Sequence, residues 1–288
     1  LRANWKRMKH YLKLDWQERL KNFKYDHLWQ MVILPFYKEN FDVISASLES
    51  LIDAKWPAFA EASAGKPKKK MIVVLAYEER AGESAEKNAI AAYEKYKDKF
   101  AYFLITKHFK DVPGEMPGKG SNIAYAAEEA RKKILDANII KYEDVLVSAF
   151  DIDTRPYPQY FLCLTWHFFT CEKPYRSSFQ PVPVYNNNIW DAPAFSRVVA
   201  TSGTFWQMIQ QERPERLATF SSHSMTFKSL YEIGYWQKNM VNEDSRIFWQ
   251  SFLKYDSDYY VLPMSYTVSM DANLAPTFWQ TVKNVYKQ

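Results

Sequence analysis

The sequence predicts a three-layer α/β domain with a mainly parallel central sheet. Three observations carry that expectation. Short apolar runs of strand length recur through the first half: Met31–Phe36, Met71–Tyr77, Ala101–Thr106 and Asp144–Phe150. Segments with helical spacing of apolar residues separate them. Pro35, Glu78, Glu79, Asp151 and Asp153 then fall at the C-terminal ends of those runs, where open α/β sheets bind ligands.

The elements follow in order. After the first strand, Asn40 can cap a helix that places Phe41, Ile44, Leu48, Leu51 and Ile52 on one face. "AEASAGKPKKK", Ala60–Lys70, is small, polar and basic, and reads as a surface loop leading into the second strand. Ser84 can cap the next helix, with Ala85, Ala89, Ala92, Tyr93 and Tyr96 spaced for packing. The turn-rich "VPGEMPGKGSN" precedes an Ala-rich helix, and "DVLVSAF" is the strand that delivers Asp151 and Asp153. Beyond Asp153 the chain is richer in Trp, Tyr, Phe, Asn and Pro. A short helix closed by Gly234, a helix opened by Glu243 and Asp244, a strand "YYVLP" and a final helix from Pro276 to Gln288 are expected there.

Composition sets limits. The chain has 288 residues, 47% hydrophobic and 17% aromatic, enough for a sizeable core rather than a disordered chain. A net charge of +5 is a mild bias towards anions, and no basic stripe, helix-turn-helix or finger pattern points to nucleic acid. Cys163 and Cys171 make neither a disulfide framework nor a zinc spacing, which suits a reducing, cytoplasmic setting. No apolar run reaches the roughly 18–20 residues of a membrane span. Beginning at Leu1, the sequence reads as a piece of a longer protein. Residues 1–30 mix Trp5, Tyr11, Trp16 and Trp29 with many Lys and Arg. They read either as a basic helix at a membrane surface or as an amphipathic helix packed on the domain.

The chemistry centres on Asp151 and Asp153. In an extended backbone, side chains at i and i+2 share a face, so two carboxylates at a strand end can meet one hard cation such as Mg²⁺ or Mn²⁺. Two enzyme classes place D-x-D there. "FDIDT" resembles the motif of haloacid-dehalogenase-like phosphatases, which would make Asp151 a nucleophile and Asp153 a general acid, with "RVVATS" (Arg197–Ser202) supplying a downstream hydroxyl. That motif ends the first strand of the phosphatase core, whereas here about three strand–helix units come first.

The remaining motifs resemble family-2 glycosyltransferases. "VILPFYKENFDVISASLESL" is similar to their opening strand, Pro and helix. "PGKGSNIAYAAEEA" is similar to their Lys/Arg…Asn loop and Ala-rich helix, and "NEDSRIFWQ" to their E-D motif at a helix start. The resemblance runs from about Met31 to the C-terminus. It implies a GT-A fold, with residues 31–154 as the nucleotide-sugar half and 155–288 as the acceptor and catalytic half. It implies an inverting transfer of a sugar from a UDP- or GDP-sugar to a glycan or lipid-linked hydroxyl. Asp151 and Asp153 would hold Mg²⁺ or Mn²⁺, and Asp244 would be the general base. Pro35, Tyr37, Glu39, Glu78, Lys119 and Asn122, with Asp151, would contact the donor. Ser202, Gly203, Trp206 and Glu243 would face the acceptor, the first three from a ligand-facing loop around "TSGTFW". Most Trp residues, by contrast, are expected in the core. "LAYEER" departs from the acidic pair that many members carry at the second strand's end, so Glu78 or Glu79 would have to substitute. Membrane-embedded processive members carry Q-x-x-R-W further on, which Gln288 would open. Work at the cytoplasmic face of a membrane, through segments outside this chain, follows from that likeness. A non-catalytic glycan- or nucleotide-binding module would keep the same fold.

Overall fold

The structure, a computed structural model, describes residues 2–59 and 68–287. In chain order the elements are α1 (Arg2–Tyr11), α2 (Trp16–Leu20), β1 (Trp29–Phe36), α3 (Phe41–Asp53), β2 (Ala58–Phe59), β3 (Lys68–Glu78), α4 (Glu83–Tyr96), β4 (Phe100–His108), α5 (Lys119–Ala130) and β5 (Val145–Ala149). The second half adds β6 (Arg155–Pro156), α6 (Tyr160–Thr170), β7 (Ser177–Tyr185), α7 (Ala194–Gln210), β8 (Ser224–Thr226), α8 (Phe227–Glu232), α9 (Glu243–Lys254), β9 (Tyr260–Met270) and α10 (Phe278–Lys287).

One sheet runs through the molecule. β4, β3, β1 and β5 are parallel neighbours, joined by α3, α4 and α5 as crossovers. Beyond β5 the sheet becomes mixed: β8 is antiparallel to β5 and to β7, β9 is parallel to β7, and β6 closes the edge antiparallel to β9. β1, β5 and β3 from Met71 on are buried on both faces, which is why they read as continuous apolar runs, whereas β4 is mostly half-buried. Along β1, Val32, Leu34 and Phe36 face one core with α2, α3, α4 and α6, while Met31 and Ile33 face the other with α5, α8 and α9. Truncating a side chain as buried as Leu34 to Ala costs about 2–5 kcal/mol.

Local expectations meet the structure unevenly. Asn40 caps α3, accepting from the Val43 amide at 3.1 Å. Helix α4 starts two residues earlier than a Ser84 cap would allow, behind Gly82 at φ 86°. Of the predicted loop Ala60–Lys70, residues 60–67 lie outside the described residues. Lys68–Lys70 belong to β3 instead. The reason is visible at Lys69, whose ammonium donates to the carbonyl of Leu51 at 3.2 Å and also to those of Ile52 and Ala54. Helix α3 has no basic residue in its own last turn, so Lys69 supplies the positive charge its end favours. Burial pulls the Lys69 pKa down to about 8. Gln288, the start of the expected Q-x-x-R-W motif, also lies outside the described residues. Among those residues no helix is long and apolar enough to cross a membrane.

Where β5 meets β8, the junction of the parallel and mixed halves is hydroxyl-lined. Ser148 and Ser224 share a 2.7 Å hydrogen bond, and the Tyr160 hydroxyl joins Ser224 at 2.9 Å. All three side chains are buried.

Candidate active site

A cavity of about 410 Å³ opens beyond the C-terminal ends of β1, β3 and β5. Pro35, Tyr37, Glu39, Glu78, Lys119, Asn122, Asp151 and Asp153 all line it, so every donor-side residue expected from the sequence reaches one place. Asp271, at the end of β9, lines it too and had no signal in the sequence.

The acidic pair is not extended, as the sequence suggested. β5 ends at Ala149, and the Thr154 amide donates to the Asp151 carbonyl at 2.9 Å, closing a turn over Asp151–Thr154. Both carboxylates still face the cavity. The Asp153 carboxylate accepts from the Asp271 amide at 3.0 Å. Burial and the Asp151 charge push its pKa up to about 7.

Lys119 occupies the centre. Its ammonium lies 2.6 Å from Asp151 Oδ1, 2.6 Å from Asp244 Oδ2 and 3.8 Å from Glu243 Oε1. Burial disfavours the ammonium, but the Asp151 and Asp244 carboxylates overcome this and raise its pKa. Burial likewise disfavours the Asp151 anion. Lys119, by charge and hydrogen bond, and the Ser221 hydroxyl donating to Oδ2 hold that carboxyl below its usual range. Glu243 behaves oppositely: burial and the neighbouring Asp244 raise it to about 7.

Gly120 makes this meeting possible. A Cβ there would lie 2.9 Å from the Gln237 carbonyl oxygen and 3.0 Å from Glu243 Cβ. Only a residue without a side chain lets the start of α5 approach the start of α9 so closely. The turn Ser221–Ser222–His223 completes the wall. Ser222 sits at φ 67° and its hydroxyl bonds Thr154 at 3.0 Å. His223 is fully buried, donates from Nδ1 to the Phe220 carbonyl at 3.0 Å, and has that nitrogen 3.9 Å from Asp244 Oδ1. Burial lowers its pKa, keeping the ring neutral. Gly120, Ser221 and His223 were not selected from sequence. Their only trace is their place in "GKGSN" and "FSSHSM".

Several expected ligand contacts are engaged by the protein itself. The Asn122 side chain donates to the Ala76 carbonyl at 3.1 Å and ties α5 to β3. Glu39 accepts from the amides of Tyr37 (2.7 Å) and Lys38 (3.0 Å), fixing the turn after β1. Glu78 is gripped by Arg80 through two hydrogen bonds of 2.6 and 2.9 Å, and the Arg80 guanidinium lies 4.8 Å over the Tyr37 ring.

On the acceptor side one expectation is corrected. Ser202, Gly203 and Trp206 are not in a loop but inside α7. The same holds for "RVVATS", which is helical. Gly203 is needed where the helix crosses Tyr185, whose ring would lie 3.2 Å from a Cβ there. Burial, then the charges of Asp151 and Asp153, raise the Tyr185 hydroxyl to about 12. Just past the end of β7, the Asn187 side chain donates to the Asp153 carbonyl at 2.8 Å and ties this strand end to the acidic turn. Trp206 faces outward, as do Trp190 and Trp249, while Trp236 packs in the core.

A crystal structure described as GalNAc-T7 with UDP, GalNAc and Mn²⁺ superposes on 90% of this chain, with TM-score 0.50 and 11% sequence identity. The chain has a GT-A fold. It spans about half of that structure, 48% of the latter being covered. No protein-family model and no curated protein matches the sequence.

Proposed function

We propose that this protein is an inverting glycosyltransferase of the family-2 type. It would move a sugar from a nucleoside-diphosphate donor to an acceptor hydroxyl. The observation that carries the reading is Lys119, which joins Asp151, lining the donor cavity, to Asp244 at the start of α9. The GT-A fold supports a transferase over a phosphatase. Glycosyl transfer by the neighbour crystallised with UDP, GalNAc and Mn²⁺ points the same way.

The residues fit a divalent cation. Among the described residues no three His, Cys, Asp or Glu side chains gather as a ready metal cage. Two hard carboxylates in a cavity suit Mg²⁺ or Mn²⁺, which take their other ligands from diphosphate and water. Burial first, and then the Asp151 charge, disfavour the Asp153 anion, and a cation between the two carboxylates would relieve this. Asp151 and Asp153 would hold the ion, whose chemistry is to neutralise the leaving diphosphate.

The chain's own groups do the rest. Lys119 carries a fixed positive charge to the phosphate side of the cavity. Tyr37, with Arg80 over its ring and Glu78 behind it, offers a flat face for the nucleobase. Asp244 keeps one oxygen on Lys119, while Oδ1 is buried without a hydrogen-bond partner in the protein. The carboxylate, partly exposed beside Lys119, is the acceptor for the proton of an attacking hydroxyl. A base opposite the leaving group gives inversion at the sugar carbon.

The test is a thermal-shift panel of nucleoside diphosphates and their sugars with and without Mn²⁺. A uridine or guanosine diphosphate should stabilise the protein, more so with metal. Asp244→Asn should keep that stabilisation and lose transfer. No response to any nucleoside diphosphate would overturn the reading, and an aspartyl-phosphate trapped on Asp151 would replace it with phosphatase chemistry.

A further inference from the structure

Helix α7 is built inside out for a protein in water. Its buried side consists of Ser196, Ala200, Thr204, Gln207 and Met208, with Gly203 against Tyr185. Its outer side carries Val198 (65% exposed), Phe205 (40%), Trp206 (60%) and Ile209 (46%). At the helical period, positions 198, 202, 205 and 209 form one stripe, so the large apolar side chains share a single outward face. On the inside, Gly203 serves the need for a close approach to Tyr185. That need does not explain why the outside is apolar.

The neighbours of α7 continue the pattern. α10 packs on it through the edge-on pair Phe195–Phe278, and the Ser196 hydroxyl donates to the Asn273 carbonyl in the segment that leads into α10. α10 exposes Phe278 (55%), Trp279 (77%) and Tyr286 (91%). On the other flank α1 docks through Met8 against Met208 and through the Asn4 amide, which donates to the Met208 carbonyl. α1 brings four Lys/Arg, α7 one and α10 two, and none of the three helices contains an Asp or Glu. Single exposed apolar residues are ordinary, but contiguous ones mark a surface that something covers. Trp, Tyr and Phe ringed by Lys and Arg without carboxylates is the composition that suits a lipid–water interface.

We propose that the outer face of α7 and α10, flanked by the basic α1, docks in the plane of an anionic lipid bilayer. The contact is made by this chain's own helices and needs no spanning segment. The aromatic side chains enter the headgroup and upper acyl region, and Arg2, Lys6, Arg7 and Lys9 pair with lipid phosphates. Because the inner side of α7 lies against Tyr185 at the end of β7, and Asn187 just beyond it donates to the Asp153 carbonyl, the reaction cavity lies close behind the docking face. Resting on the glycosyltransferase reading, this favours an acceptor held in the bilayer, such as a lipid-linked glycan, over a freely diffusing one.

The experiment is flotation with vesicles of phosphatidylcholine alone or mixed equally with phosphatidylglycerol. It uses the protein without donor, so its result is separate from that of the nucleotide panel. The protein should float with the mixed vesicles, less so at high salt, and poorly with phosphatidylcholine alone. Phe205→Ser with Trp206→Ser should reduce bound protein about tenfold. Lys6→Glu with Arg7→Glu should abolish the preference for anionic lipid. Both variants alter exposed side chains, and unchanged thermal melting would confirm that they are folded. No flotation with either vesicle would overturn the proposal. So would a concentration-dependent dimer that the Phe205 and Trp206 changes dissociate, since a second copy would then be the occupant of this face.

Discussion

Replacing Lys119 by Met keeps the length of the side chain and removes its charge. The ammonium is the only cation within 4 Å of Asp151 among the described residues, and it is 2.6 Å from Asp244 as well. Removing one partner of a buried ion pair costs about 3–5 kcal/mol, because the other charge is left without compensation. Lys119 retains 21% side-chain exposure, so water recovers part of this and about 3 kcal/mol is expected at pH 8. The sign of the pH dependence follows. Without the ammonium, burial raises the Asp151 carboxyl above its unfolded value, and protonation relieves it. The deficit should therefore shrink as the pH falls towards 4 and grow to its full size above 7. Urea denaturation at several pH values measures this, with a midpoint lowered by about 1 M at pH 8. Mn²⁺ should raise the midpoint of the variant more than that of the unaltered protein. Equal midpoints at pH 8, or a deficit that does not change with pH, would refute the argument.

Other expectations follow from single contacts. Gly120→Ala gains about 1 kcal/mol of helix preference but drives a Cβ to 2.9 Å from the Gln237 carbonyl. The overlap, about 1–3 kcal/mol, should win, and calorimetry should show weaker nucleoside diphosphate binding as α5 and α9 part. His167 is buried among Tyr11, Trp16 and Trp166, and desolvation lowers its pKa to about 4 from 6.5. The unfolded chain binds that proton first, so stability present above pH 6.5 should fall by about 3 kcal/mol as the pH drops to 4. His167→Phe should flatten that part of the stability profile.

The four parallel strands of the first half and the cavity-facing acids were readable because period and punctuation are local properties, whereas β6, β7 and β8, with weaker alternation, were not. Met31–Phe36 in β1 and Met71–Tyr77 in β3 are continuous apolar runs, as a doubly covered strand requires. What was misread shows where local rules yield to tertiary need. "TSGT" has turn composition, yet it is helical because only small residues fit where α7 crosses Tyr185. "KPKKK" has loop composition, yet Lys69 is drawn into β3 to cap α3. Gly120 and Ser221 went unnoticed since each acts through a partner more than a hundred or about seventy positions away, at Gln237 and at Asp151. The stack of Arg80 on Tyr37 escaped notice for the same reason.

The hydroxyl-lined junction of β5 and β8 has a consequence for accuracy of assembly. The two strands pair over three rungs, Leu146 with Thr226, Val147 with Met225 and Ser148 with Ser224. So short a ladder resists sliding weakly. A slip by one residue would send Ser224 to the opposite face, breaking its bonds to Ser148 and Tyr160 and burying unpaired hydroxyls. The same slip would turn Ser221 away from Asp151 and carry His223 off Asp244. The three hydroxyls thus act as a latch on alignment, and a protein that closes it has at the same moment aimed the side chains on which its chemistry depends.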